Sequence, residues 1–530
     1  MVTAALHEGA RPGNVFTRHD LHGDTVLDCD VVIVGSGAGG APMAAELAEA
    51  GFDVVVLEEG SYYQTRDFTA NTSQMVRQLY RDGGASMAIG NPPIMFQEGR
   101  AVGGSTVING GMSWRTPEDI LARWRDEAGL EDLTTAQLEP YYERVEKRIH
   151  VAPMDEDAIG NDNWLLKKGA DAKGWKTLGN LRNQAHCVGS NRCAFGCPTG
   201  AKQSALVSYI PRALHFGARV YADVRVDRIT FHGKRATGVL GRVRTDDGKT
   251  HNVVVRAKLV VAACGAIHSP ALLARSGVKS RSGLLGGNLS LHPNVKVVAL
   301  FDEDVSGWQG AHQAFQVREF ADEGLGCFAA VNLPPSVVAM SVPHRGAQLG
   351  QLMDQYNHMV VAGLLCEDTT TGHVKVINGR PQAFYQLAEH DAANMQRGLV
   401  LLAELLFAAG AKRLLLPFHH AQELTSADEA HRLLDRPIPA KGWEVVTVHM
   451  MGTAKMGADR TTSVTDGFGF MHDVDRLMVA DASLFPSPCR VNPMETIMAL
   501  STRAAGHVID NSRRYFGRAL PSHSRSPSPR

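Results

Sequence analysis

The segment Cys29–Gly60, CDVVIVGSGAGGAPMAAELAEAGFDVVVLEEG, constrains the fold more than any other stretch of the chain. Asp30 to Val34 is a short apolar run of the kind that forms a buried parallel strand. It stops at Gly35-Ser-Gly37-Ala-Gly-Gly40, before an alanine- and leucine-rich helical pattern. Strand, turn and helix in that order make a dinucleotide site: Gly35 permits the tight turn, Gly37 lets the backbone approach a pyrophosphate, and Gly40 lets the helix pack against the strand. A second apolar run, Val54 to Leu57, ends in Glu58, 18 residues beyond Gly40, where a carboxylate can accept from ribose hydroxyls and disfavours a 2′-phosphate. The motif alone does not choose between NAD and FAD.

The full length, 530 residues with 44% hydrophobic and 21% charged side chains, fits a globular enzyme of two or three domain-sized units. Fifty-four basic residues against 55 acidic ones give a net charge of −1, so charge argues for neither nucleic acid nor an anionic membrane surface as a partner. No run approaches the roughly 20 apolar residues of a transmembrane segment, and the N-terminus lacks a secretory pattern. The expected location is cytoplasmic, with any membrane association made through a partner. Eight cysteines do not suggest a disulfide scaffold, but three of them crowd into residues 187–197.

Along the chain, residues 1–27 read as an irregular lead-in and 61–98 as loops and short helices. A second glycine-rich passage, GRAVGGSTVINGG, then offers Gly103, Gly104, Gly110 and Gly111 for close backbone approach to a flat or anionic ligand, with Ser105 and Asn109 as side-chain donors. The pattern predicts a helix over 134–151 capped at Thr134 or Thr135, and strands at 218–229 and 258–264. A further helix follows, with Ser269 as its cap, Pro270 at its first position and Gly277 as terminator. Strand-like runs at 295–301, 337–342, 359–365 and 374–377 lack a βαβ rhythm and predict a mostly antiparallel sheet. A helix over 391–409 places Met395, Leu399, Leu402 and Leu406 on one face. The tail after Gly517 reads as disordered.

Six passages in order, GSGAGG with LEEG, GRAVGGSTVINGG, GAIHSPALLARSG, GGNLSLHPN, HMMGTAKMG and VADASLFPSPCRVNPMETIMAL, resemble the glucose-methanol-choline (GMC) family of flavin-dependent oxidoreductases over residues 30 to about 510. The resemblance implies an α/β fold: a Rossmann-like FAD-binding domain drawn from 28–112, 205–296 and 441–515, a cap segment at 113–204, a substrate domain at 297–440 and a tail at 516–530. It implies FAD rather than NAD, with Gly35, Gly37, Gly40 and Glu58 holding the ADP half and Val224 placing its backbone beside the adenine. Gly103 to Asn109 would lie along the flavin and pyrophosphate, and Asp481 with Ala482 near the ribityl chain. The positions where the family's covalent link would fall are Arg100, Ala101 and Val102, so a dissociable FAD is expected.

Oxidation of a small-molecule alcohol needs a base that is unprotonated near neutral pH, which suits histidine. By resemblance His449 in VVTVHMMGT is that base, and Asn492 in RVNPMET steadies the substrate oxygen as an amide donor. His292 reads as structural, and His472 and the His419-His420 pair as structural or surface histidines. Cys187, Cys193 and Cys197 have the spacing C-x5-C-x3-C-P, which suits a 3Fe-4S cluster. Unmetallated thiols, a disulfide, or a zinc site shared with His186 stay open beside it. A cluster would route electrons to a cytochrome- or quinone-linked acceptor protein, and its absence to dioxygen. A cyanohydrin lyase using FAD as scaffold, a sugar dehydrogenase, and a non-enzymatic electron carrier are the competing functions.

Overall fold

The computed structural model describes residues 11–418 and 422–517. The predicted disordered tail and the His419-His420 pair lie outside the described residues. The opening segment folds as its glycines require: strand Thr25–Val34, a turn with Gly35 at φ +99°, and helix Gly40–Glu49. Gly40 is forced by packing, because a Cβ there would run into the carbonyl of Gly35.

An eight-stranded sheet forms around that strand. Its order is Val15–Phe16, Arg219–Tyr221, Val54–Leu57, Thr25–Val34, Thr250–Ala262, Arg235–Arg244 and Val224–His232, with Leu477–Val479 also on Thr250–Ala262. The strands from Val15 through Thr250, and Leu477–Val479, run parallel; the last two form an antiparallel meander. Runs such as Val31–Ile33 and Val54–Val56 are fully buried, as expected of strands covered on both faces. The lead-in is less irregular than its sequence suggests, since Val15–Phe16 adds an edge strand.

A second, ten-stranded sheet is mostly antiparallel and centres on Asn294–Leu300, Met359–Leu365, Cys327–Ala330 and Phe315–Val317. Six short strands complete it: Ser86–Ala88, Ile94–Phe96, Thr177–Gly179, Arg413–Leu415, Glu423–Leu424 and Val446–Thr447. One face carries Val295, Val297, Ala362, Leu364, Phe328 and Val317 into a core shared with helices Asn161–Lys173 and Glu389–Ala409. The second of these buries Met395, Leu399, Leu402 and Leu406 and stops at Gly410 in the left-handed region.

Two predicted elements are corrected. The run at 337–342 is helical, Pro335–Met340, because Pro335 supplies a preorganised first residue. The helix expected to start at Ser269 begins at Gly265 and runs to Arg275, so Pro270 lies inside it. Pro270 has no N–H for the carbonyl of Ala266, and Thr453 Oγ1 donates to that carbonyl at 2.6 Å instead. Ser269 caps nothing; its hydroxyl accepts from the Cys264 N–H and donates to Asp481.

Candidate active site

The two glycine-rich passages meet. A Cβ on Gly104, itself at φ +54°, would stand 2.8 Å from the Cα of Gly37, so Gly104 has no room for a side chain, whereas a Cβ on Gly37 would meet Gly104 Cα at 3.8 Å. Gly103 N–H donates to Ser36 Oγ at 3.0 Å, and Ser36 Oγ donates to Glu58 at 2.7 Å. Glu58 also accepts from the N–H groups of Ser36 and Gly60, and Val224 N–H bonds the Glu58 carbonyl at 2.9 Å. Burial pushes the Glu58 carboxyl above its ordinary range despite these donors. Gly35, Gly37, Gly40, Glu58, Gly103, Gly104 and Val224 therefore form one cradle at the carboxyl ends of the parallel strands, where open α/β sheets bind ligands.

Asp481 and Ala482 close its other side. Asp481 accepts from Gly265 N–H at 2.9 Å and Ser483 N–H at 2.8 Å, and the neighbouring Ala480 carbonyl packs so tightly on Gly39 that no Cβ fits. Gly39, Ser36 and Lys202 were not singled out from sequence. Lys202 is buried, and its ammonium binds the carbonyls of Val107, Asn109 and Cys193 at 2.6–2.9 Å, fixing the second glycine passage. Ser105 and Asn109 are turned to protein partners: Ser105 Oγ accepts from Gly99 N–H and Asn109 Nδ2 approaches Met494 Sδ.

His449 and Asn492 come together, with Asn492 Nδ2 at 3.4 Å from His449 Nε2. A third residue joins them. His292, read from sequence as structural, faces His449 with Nδ1 to Nδ1 at 3.0 Å. The cause is backbone register. Ser290 and Met451 exchange two hydrogen bonds at 2.9 and 3.0 Å, and two residues onward on each antiparallel segment stand His292 and His449. The next pair is Asn294 with Val446, one residue out of step, and the exposed Val448 falls in the extra residue. Burial, then the neighbouring His292, holds His449 well below the ordinary histidine pKa; burial lowers His292 to about 3. Both imidazoles are neutral near pH 7. His472 is a structural histidine bonded to Ser463 at 2.9 Å.

The metal assignment of Cys187, Cys193 and Cys197 finds no support in the side-chain geometry. All eight cysteines are free thiols, and among the described residues no group of three or more His, Cys, Asp or Glu side chains is placed to hold a metal ion. Cys187, Cys193 and Cys197 do line one cavity of about 10 Å³, but Arg182 and Lys202 line it with them. That space is no larger than one water requires. Arg182 Nη2 lies 3.2 Å from Cys193 Sγ and also binds the Gly110 carbonyl at 2.6 Å. Burial would raise the Cys193 thiol, but Arg182 and Lys202 outweigh it and bring the pKa below the usual value. Spacing alone could not reveal that cations stand among the thiols.

Comparisons with known proteins agree with this geometry. The family profile described as GMC oxidoreductase matches residues 76–294 and 371–501, and an FAD binding domain profile matches 30–75. The chain is 35% identical over 496 residues to the uncharacterized GMC-type oxidoreductase y4nJ of Sinorhizobium fredii, covering 93% of this chain and 97% of that one. It is 28% identical over 523 residues to the long-chain-alcohol oxidase FAO4B of Arabidopsis thaliana, covering 92% and 68%. Pyridoxine 4-oxidase from Mesorbium loti superposes with a TM-score of 0.69 at 19% identity over 90% of this chain and 99% of that one. An Aspergillus oryzae formate oxidase variant gives 0.70 at 16% identity over 93% and 100%. Among the described residues no helix is long and apolar enough to cross a membrane. The fold, the nucleotide cradle and these likenesses together place the chain in the GMC oxidoreductase family.

Proposed function

We propose that the chain oxidises an alcohol to a carbonyl compound, with His449 as base and Asn492 as the group that holds the substrate oxygen. The observation that carries the reading is a neutral, buried imidazole with an amide donor at 3.4 Å from its Nε2. FAD, which the glycine cradle and Glu58 fit, supplies when bound the acceptor for the hydride that leaves the carbinol carbon. His449 Nε2 takes the hydroxyl proton, and Asn492 Nδ2 donates to the oxygen as negative charge develops there. The buried setting keeps the imidazole unprotonated at neutral pH and strengthens the amide's hold. The relatives named as oxidases support dioxygen as final acceptor, tested by oxygen uptake against reduction of a cytochrome or quinone.

His449→Ala tests the assignment. The variant should keep its FAD absorbance and lose anaerobic bleaching by alcohol by about 10²- to 10⁴-fold. Unchanged bleaching would remove His449 from the mechanism. Cyanide release from a cyanohydrin without any bleaching by alcohols would replace alcohol oxidation with a lyase activity.

A further inference from the structure

The face of the ten-stranded sheet opposite the helix-covered core bears one cross-strand row that the reaction above does not use. In register, Lys296 stands opposite Gly363, Gly363 opposite Ala329, and Ala329 opposite Gln316. Directly paired residues share a face, so the row is a shallow trough with Gly363 and Ala329 at its middle and Lys296 and Gln316 at its ends, narrowed at Gly363 by Asn294 Oδ1, which stands 3.2 Å from where a Cβ would be. Three strand spacings separate the ends, roughly 14 Å. Lys296 also lies four residues along the same extended segment from His292, on the face His292 occupies, roughly 13 Å away.

Both ends are donors without acceptors. Gln316 is 1% exposed, and its Nε2 is buried with no hydrogen-bond partner. Lys296 makes no hydrogen bond or ion pair with any described residue, and burial alone lowers its ammonium pKa. It nevertheless keeps part of its surface accessible. Its charge helps to lower the pKa of His312, whose ring lies about 3.1 Å from where a Cβ on Gly110 would stand. The other cations there are engaged: Arg182 holds the carbonyls of Gly110 and His312, and Lys202 holds three more. A buried cation and an orphaned amide donor cost free energy unless a ligand satisfies them.

We propose that this trough is the specificity subsite for a carboxylate on the substrate, held by Lys296 and Gln316, so that the alcohol oxidised at His449 is a hydroxy acid. One lysine balances one negative charge, which favours a carboxylate over a dianionic phosphate. A wholly apolar alcohol would leave both donors unsatisfied. The inference rests on the alcohol-oxidising reading above for the reaction, though not for the binding of the acid group.

FAD-loaded enzyme is assayed with ω-hydroxy acids of four to ten carbons, with primary alcohols of the same lengths, and with ω-hydroxyalkyl phosphates. The expected result is a preference for the hydroxy acid over the matched alcohol of about tenfold or more in kcat/KM, lost in Lys296→Met and restored in Lys296→Arg. Binding is read separately by titrating suberate into the oxidised holoenzyme and following the flavin absorbance; Lys296→Met and Gln316→Leu should each weaken it. FAD content and thermal melting establish that each variant is folded. Lys296-dependent suberate binding without turnover of any alcohol would sink the proposed reaction and keep this subsite. Turnover with no preference for the acid, or a preference for the phosphate, overturns the subsite.

Discussion

His292 and His449 stand opposite each other with their Nδ1 atoms 3.0 Å apart, and this contact assigns the tautomer of the proposed base. The Asn492 amide nitrogen can only donate, so the Nε2 that it approaches must present a lone pair. The hydrogen of neutral His449 then sits on Nδ1 and is donated to Nδ1 of His292. His292 in turn carries its hydrogen on Nε2, which is buried without a protein partner. His292→Ala should leave the Nδ1–H of His449 buried and unpaired, slowing flavin reduction by about tenfold to a hundredfold while FAD stays bound. His292→Asn, whose Oδ1 can accept that hydrogen, should recover much of the rate. Anaerobic stopped-flow traces of the two variants decide it, and equal rates for wild type and His292→Ala would discard the positioning role.

The same pair sets an acid limit on stability. Both folded-state pKa values are depressed, His292 to about 3 and His449 well below 6.5. The unfolded chain therefore binds more protons below pH 6.5, and the pair's contribution is complete above that pH and falls as pH drops. Each histidine contributes a slope of about 1.4 kcal/mol per pH unit. Urea unfolding at pH 7.5, 6.0 and 5.0 should show wild type losing more stability across the series than His292→Asn, by one proton. Parallel curves would contradict the buried neutral state.

Replacement of Gly104 by alanine should remove the cofactor and spare the fold. The new Cβ would press on Gly37 at 2.8 Å from a backbone at φ +54°, a conformation costing a non-glycine residue roughly 1–2 kcal/mol. The two passages must part, and the cradle opens. The ratio of 450 nm to 280 nm absorbance in purified protein should fall, with far-ultraviolet circular dichroism unchanged; full flavin occupancy would refute the close approach.

Thr453 and Pro270 should be energetically coupled. Thr453→Val leaves the buried Ala266 carbonyl without its donor, at a cost of about 1–3 kcal/mol. Pro270→Ala restores a backbone N–H to serve that carbonyl, so Thr453→Val should cost less in that background. A double-mutant cycle by denaturant unfolding measures the coupling, and additive effects would show that the two do not share the acceptor.

What the chain revealed before folding was the part written in local pattern. Glycine positions, buried parallel runs and the helix at Glu389–Ala409 depend on neighbours a few residues away, and those readings match the structure. His292 was missed because its meaning lies in a pairing register between residues 290 and 451, which neither segment announces alone. The cysteine spacing says little for a related reason: Arg182 and Lys202, which share the cavity of the thiols, flank the motif in sequence and enter it only through the fold. Ser269 and Pro270 form a sound start signal, overridden because Thr453 supplies what Pro270 lacks.

The Ser290–Met451 bridge joins segments separated by most of the substrate-side sheet and its covering helices. Closure of that loop depends on what is threaded between its ends, and the nucleotide cradle shares the dependence, since Leu477–Val479, Asp481 and Ala482 all lie beyond Met451. The catalytic pair and the flavin site are therefore assembled by one and the same long-range closure.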